Sequence, residues 1–192
     1  MESKNKYDAI VVGASAGGLY AMISILHPLP VNYPIPIIVV QHRAKDERSL
    51  LEEVLQQKCQ IRIKQADEKE EIQPGFVYFA PPNYHLLVEN NGTFSLSYDV
   101  PVNYSRPSID VLFETAADVF KQRLLGIILT GANKDGAAGM KKIRTLGGIT
   151  IAQDPGTADY PEMPQAAIST RAIQHILTPA AIGSFLLDCM NN

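Results

Sequence analysis

Cysteine is scarce in this 192-residue chain: there are two, Cys59 and Cys189, with no C-x-x-C between or around them. That excludes a disulfide framework and a cysteine metal knuckle, and it predicts reduced thiols in a cytoplasmic protein. Long hydrophobic runs are missing too. The longest, such as IPIIVV, fall far short of the roughly 20 residues that cross a bilayer, so membrane insertion is not expected. The N-terminus, MESKNKYDAIVV, lacks a basic region followed by an extended apolar stretch, so no signal peptide is expected. Neither sign of charge dominates, with 17 Lys and Arg against 20 Asp and Glu. A net charge of −3 carries no polybasic signature and gives no reason to expect a nucleic-acid partner. Repeats, low-complexity segments and interdomain linkers are not seen, and the length suits one domain over residues 1–192.

What the chain does have is alternation. Asp8–Val12 reads as a strand, Gly17–Leu26 as a helix stopped by HPLP, Ile35–Gln41 as a second buried strand, Asp46–Gln56 as a helix and Gln60–Lys64 as a strand. This β-α-β-α-β order predicts a parallel sheet with right-handed crossovers. Gly75–Ala80, His85–Glu89 and Phe94–Tyr98 then read as three short strands separated by PPN and NNG, an antiparallel extension on one side of the sheet. Alternation resumes with a helix at Ser108–Lys121, for which Ser108 is a natural N-cap, then strand Leu124–Leu129, helix Gly136–Leu146 and strand Gly148–Ala152. DPGTADYPEMPQ reads as a long proline-rich loop, before a strand at Ile173–Leu177 and a helix at Pro179–Met190. The expected class is α/β, a doubly wound, mostly parallel sheet with an antiparallel hairpin extension.

Strand 1 runs into GASAGG, Gly13–Gly18, which contains G-x-S-x-G centred on Ser15. Between a strand and a helix, such a turn lifts the hydroxyl above the carboxyl edge of the sheet, beside the free N–H groups of the helix. The same turn also suits a phosphate, so a nucleotide-binding module built on Gly13–Gly18 stays open, although neither G-x-G-x-x-G nor G-K-[ST] is matched. A nucleophilic serine needs a base. Of four histidines, His42 directly follows the second strand and would share a crevice with Ser15. His27 lies in a helix-ending turn, His175 sits in a late apolar segment and reads as structural, and His85 opens a short strand from which it can reach the site. The base needs an orienting carboxylate, and Asp135, in the loop after GIILT, is placed for it. Its bland role is an N-cap, and Asp154, after the next strand, is the reserve. The chain order Ser, His, Asp differs from the Ser, Asp, His of typical α/β-hydrolases. No metal-ligand spacing appears and no cofactor is expected.

GASAGG, VVQH, PGFVYFAPPNYH, RPSIDVLF, ILTGANKDGAAGM and IAQD…MPQAAI run in order over nearly the whole chain. Together they resemble the catalytic domain of the chemotaxis protein-glutamate methylesterases, the CheB family. The resemblance implies a doubly wound sheet of about seven strands and a triad of Ser15, His42 and Asp135. It implies hydrolysis of γ-glutamyl methyl esters on methylated chemoreceptor or sensory-protein helices, and deamidation of glutamine. It places Ala16 and Ala132 near the oxyanion, and His85 and Arg106 in the substrate groove, where NYSRPS and DYPEMP mix polar and aromatic groups. The family commonly carries an N-terminal phosphorylatable receiver domain. Only a few residues precede the first strand here, so regulation by that route is expected to be absent. The family loop T-G-M-G-x-D-G reads TGANKDG here, with Ala132 in place of methionine and Lys134 before the aspartate. GASAGG resembles the form fused to methyltransferase domains, so a receiver or methyltransferase domain is a further partner candidate. The reading opposed to an enzyme is a non-catalytic signalling scaffold that binds methylated helices.

Overall fold

The computed structural model describes residues 6–43 and 50–190. Seven parallel strands form one sheet: β1 (Ala9–Ala14), β2 (Ile37–Gln41), β3 (Arg62–Gln65), β4 (Phe76–Phe79), β7 (Leu124–Ile128), β8 (Ile149–Gln153) and β9 (His175–Leu177), in the order β3-β4-β2-β1-β7-β8-β9. Between them in the chain, β5 (His85–Val88) and β6 (Phe94–Ser97) pair antiparallel as a separate two-stranded sheet.

The apolar run AIVVGA is buried at every position because it is covered on both faces, as strands of a parallel sheet are. Alternation sorts its side chains into two layers. Ile10 and Val12 enter one core with Met22 and Ile25 of α1 (Gly18–Leu26) and Ile182 and Leu186 of α6 (Pro179–Asp188). Ala9 and Val11 enter the other, with Leu112 and Phe113 of α3 (Ile109–Phe120), Met140 and Ile143 of α4 (Ala137–Thr145) and Phe94 of the hairpin. α2 (Leu51–Lys58) adds Leu55 to the first layer. The part of the helix predicted over 46–56 that precedes residue 50 lies outside the described residues.

Two expectations need correction. Phe76–Phe79 does not belong to an antiparallel extension; it is inserted into the main sheet, parallel to both Ile37–Val39 and Arg62–Gln65. The hairpin of β5 and β6 stands apart, packed on α3. The loop read over DPGTADYPEMPQ holds a helix, α5 (Glu162–Ser169), and a single 3-10 turn at Pro155–Thr157. Pro164 lies in the first turn of α5, where the missing N–H has no intrahelical partner to lose.

The winding reverses at β1. The chain leaves it toward β2 on one side and returns to β7 on the other, so the carboxyl ends of β2, β1 and β7 bracket a topological switch point. That is where ligands bind in open α/β sheets.

Candidate active site

Ser15 follows β1, His42 follows β2, and Asp135 follows β7, one at the end of each strand around the switch point. In the β1–β2 register Ala14 pairs with Gln41, and the His42 N–H donates to Ala14 O at 3.0 Å, so Ser15 and His42 stand side by side. Gln41 closes the arrangement: its Nε2 donates to Ser15 O at 2.7 Å and to His42 O at 3.2 Å. From the other flank, the Ser15 N–H donates to Thr130 O at 3.0 Å, and the Thr130 hydroxyl donates to Ala16 O at 3.0 Å.

The turn at Ser15 depends on glycine. Gly17, at the N-cap of α1, has φ 78°, a left-handed conformation that costs a side chain energy. A Cβ there would also lie 2.8 Å from Asp159 Oδ2. The carboxylate beside this helix N-terminus opposes a bound phosphate, which removes the main physical support for a nucleotide-binding turn. Among the described residues, no acceptor meets the N–H of Ala16, Gly17 or Ala132. Gly131 brings the β7 loop against the serine, since a Cβ on it would sit 2.9 Å from Ser15 Cβ.

His42 Nε2 and Asp135 Oδ2 are 2.8 Å apart, with the imidazole 11% exposed and the carboxylate fully buried. Asp135 is held by five donors. Oδ2 accepts from His42 Nε2 and, at 2.6 Å, from the Ile109 N–H; Oδ1 accepts from Ser108 Oγ at 2.9 Å, Asn103 Nδ2 at 3.0 Å and the Asp110 N–H at 3.1 Å. The carboxylate is thus an N-terminal cap, but of α3 rather than of the helix that follows it. Ser108 occupies the expected cap position without capping, because its hydroxyl donates to Asp135. Burial alone would push the Asp135 carboxyl up; hydrogen bonds from His42, Asn103, Ile109 and Asp110 outweigh it and hold the group below its ordinary value.

Asp110 lies next to it and behaves oppositely. Burial pushes its carboxyl up, against the hydrogen bond from the Gly139 N–H, with the Asp135 charge adding to the rise. Asn103 Nδ2 bridges the two carboxylates, 2.8 Å from Asp110 Oδ2.

The remaining sequence candidates fall outside the cleft. His85 is 2% exposed, with Nδ1 accepting the Ser108 N–H and Nε2 donating to Val100 O, both at 3.1 Å. Both nitrogens are committed to the segment that carries Ser108, so His85 supports the start of α3 and does not line the cleft over Ser15 and His42. Arg106 is committed too: Nε and Nη2 donate to Asn83 Oδ1, Nη1 donates to Tyr98 O and Asp99 O, and the guanidinium lies 3.8 Å from the Tyr98 ring centroid. Asp154 caps the 3-10 turn by accepting the Gly156 N–H at 2.9 Å. His27 Nδ1 meets Lys58 O, and His175 is exposed on edge strand β9 beside Phe185.

Asn103 and Asn133 were not predicted. Asn103 sits in NYSRPS, a segment whose sequence suggests only a groove, and Asn133 sits within ANKDG. Asparagine at a loop tip next to a buried carboxylate is a weak signal, because its partners are distant in sequence. A cleft of about 310 Å³ opens over Ser15 and His42, lined among the described residues also by Tyr20, Gln41, Leu51 and Asp159. Among those residues no three His, Cys, Asp or Glu side chains gather as a metal site, and no helix is long and apolar enough to cross a membrane.

Fold and site together define a doubly wound α/β protein that gathers a serine, a histidine and a buried aspartate at the switch point of its sheet. Residues 10–186 match the family model described as CheB methylesterase. The chain belongs to the CheB methylesterase family. It is 50% identical over 186 residues to a Leptospira interrogans protein named "Putative protein-glutamate methylesterase/protein-glutamine glutaminase", covering 97% of this chain and 96% of that one. A Thermotoga maritima protein-glutamate methylesterase/protein-glutamine glutaminase is 35% identical over 93% of this chain, which spans 53% of its length. The fold superposes on the crystal structure of the Thermotoga maritima CheB methylesterase catalytic domain with a TM-score of 0.91 at 34% identity, over 95% of this chain and 98% of that one.

Proposed function

We propose that this chain is a protein-glutamate methylesterase in which Ser15 is the nucleophile, His42 the general base and acid, and Asp135 the group that orients His42. The observation that carries the reading is the 2.8 Å contact between His42 Nε2 and the buried Asp135 carboxylate, with Ser15 directly after the neighbouring strand. Asp135 holds the proton on Nε2 and leaves Nδ1 as the basic atom. Ser15 Oγ attacks the ester carbonyl and gives its proton to Nδ1. Collapse of the tetrahedral intermediate breaks the bond to methoxide, which takes that proton and leaves as methanol. Water, deprotonated by the same nitrogen, then hydrolyses the acyl-serine to a glutamate carboxylate. The free N–H groups of Ala16 and Ala132 are the donors proposed for the oxyanion, each worth about 3 kcal/mol. A glutamine side chain follows the same course with ammonia leaving.

The proposed substrate is a methylated glutamate on a helix of a chemoreceptor or related sensory protein, and residues 1–192 are proposed to act as one catalytic unit. An open cleft edged by the exposed Tyr20, with Tyr104 and Tyr160 exposed on the loops that bracket Asp135 and Thr130, suits an ester presented on another protein. Contacts along that helix supply binding energy a free ester lacks. The test compares kcat/KM for a methylated receptor peptide with that for a free short-chain methyl ester. A large preference for the peptide is expected, and equal values would remove the receptor from the proposal. A non-catalytic scaffold is not favoured: capping α3 accounts for the buried Asp135, but not for an imidazole set against it beside Ser15.

A further inference from the structure

Asn133 stands two residues before Asp135 in the loop after β7. Its Oδ1 accepts the Asp135 backbone N–H at 3.0 Å, and its Nδ2 lies 3.2 Å from His42 Nδ1. A backbone N–H can only donate, so the end of the amide that faces Asp135 is the oxygen and the end that faces His42 is the NH₂ group. The amide therefore donates, and His42 Nδ1 accepts with its one in-plane lone pair. His42 Nε2 carries the ring proton and donates its hydrogen bond to Asp135 Oδ2. The imidazole is in the tautomer that a general base requires, yet its basic atom is already occupied. Among the described residues Ser15 Oγ makes no hydrogen bond to His42. Serine and asparagine compete for one lone pair.

We propose that Asn133 is an amide cap on the base: it fixes the His42 tautomer in the resting site, and it must leave Nδ1 before Ser15 can transfer its proton. The inference rests on the hydrolase reading above and adds a restraint to it. Asn133 is a positioning residue acting through His42. A neutral hydrogen bond of this kind corresponds to about a 2- to 10-fold bias in an equilibrium, a restraint that a bound substrate can displace.

The test is labelling of the full chain by a small fluorophosphonate, which needs the nucleophile and its base but no receptor helix. Asn133→Gly is expected to raise the maximal labelling rate constant about 2- to 10-fold, with the half-saturating reagent concentration unchanged. Asn133→Asp preserves the shape and the acceptor for the Asp135 N–H, but it has no proton to donate and draws one onto Nδ1; it is expected to label more slowly than the wild type. Ser15-dependent labelling that Asn133→Gly leaves equal or slower overturns the cap and spares the hydrolase. No Ser15-dependent labelling of the wild type overturns both. If Asn133→Gly does not fold, the imidazole ¹⁵N spectrum of the wild-type protein decides: an unprotonated Nδ1 with a scalar coupling across a hydrogen bond to the Asn133 side-chain amide supports the cap, and an Nδ1 that is protonated or shows no such coupling overturns it.

Discussion

Asp135 Oδ2 accepts the Ile109 N–H at 2.6 Å, so the carboxylate that receives His42 is seated on the first turn of α3. One side chain thus serves the site and the fold together. Asp135→Asn should lower turnover by about 10⁴-fold through the wrong imidazole tautomer. It should also cost about 1–3 kcal/mol of stability, because an NH₂ group replaces one of two oxygens that both face donors. Turnover and urea denaturation on the same preparation test both effects. Asp154→Asn should leave turnover close to wild type, since that carboxylate only caps its own turn. The reverse ranking would make Asp154, not Asp135, the carboxylate that orients His42.

Ser15 and His42 should behave as a unit. Ser15→Ala and His42→Ala are each expected to remove nearly all turnover, and the double variant to be little worse than either. Rate losses that multiply would argue against a shared proton transfer.

The two buried carboxylates give opposite contributions to acid stability. Asp135 titrates below its unfolded value, so its contribution is present above the ordinary carboxylate range and is lost as the pH falls through the depressed folded value. Asp110 titrates above its unfolded value, so it favours the fold at low pH and loses that contribution as the pH rises through the raised one. Melting curves between about pH 2 and pH 7 should show a loss on the acid side that is smaller in Asp135→Asn than in the wild type. Superimposable profiles for the two proteins would contradict this assignment.

Both thiols should be inert in the folded protein. Burial pushes the Cys59 thiol up and pushes Cys189 up to about 11, so neither is appreciably ionised near neutrality. An aromatic disulfide reagent is expected to report no rapidly reacting thiol in native protein and two after denaturation. Fast stoichiometric reaction of the native chain would show that one of them is not buried.

The legible part of this molecule is the part written locally. β1, β2 and β7 are short apolar runs ending in the turn chemistry of GASAGG, QH and TGANKDG, and so the placement of Ser15, His42 and Asp135 on one edge follows from strand order alone. β4 was legible as a strand but not as a parallel one. FVYF carries no record of its neighbours, and its place between β2 and β3 is set by pairings such as Ile37 with Val77. The α5 helix was hidden by Pro161 and Pro164, which read as breakers but occupy its cap and first turn. His85 and Arg106 were groove candidates through the family resemblance alone, which says nothing of their partners in this chain. Their commitment to Ser108, Val100, Asn83 and Tyr98 appears only once the hairpin folds back over α3. Asn103 escaped for the same reason, its two carboxylate partners being brought to it by α3 and by the β7 loop.

The proposed function turns on cleavage of a glutamate methyl ester by the Ser15 hydroxyl. The most direct measurement is methanol released from a methylated receptor fragment by wild-type protein and by Ser15→Ala. Turnover is expected from the wild type, and a rate near background from the variant at equal folded concentration. Equal methanol release by both, or none by the wild type, would contradict it.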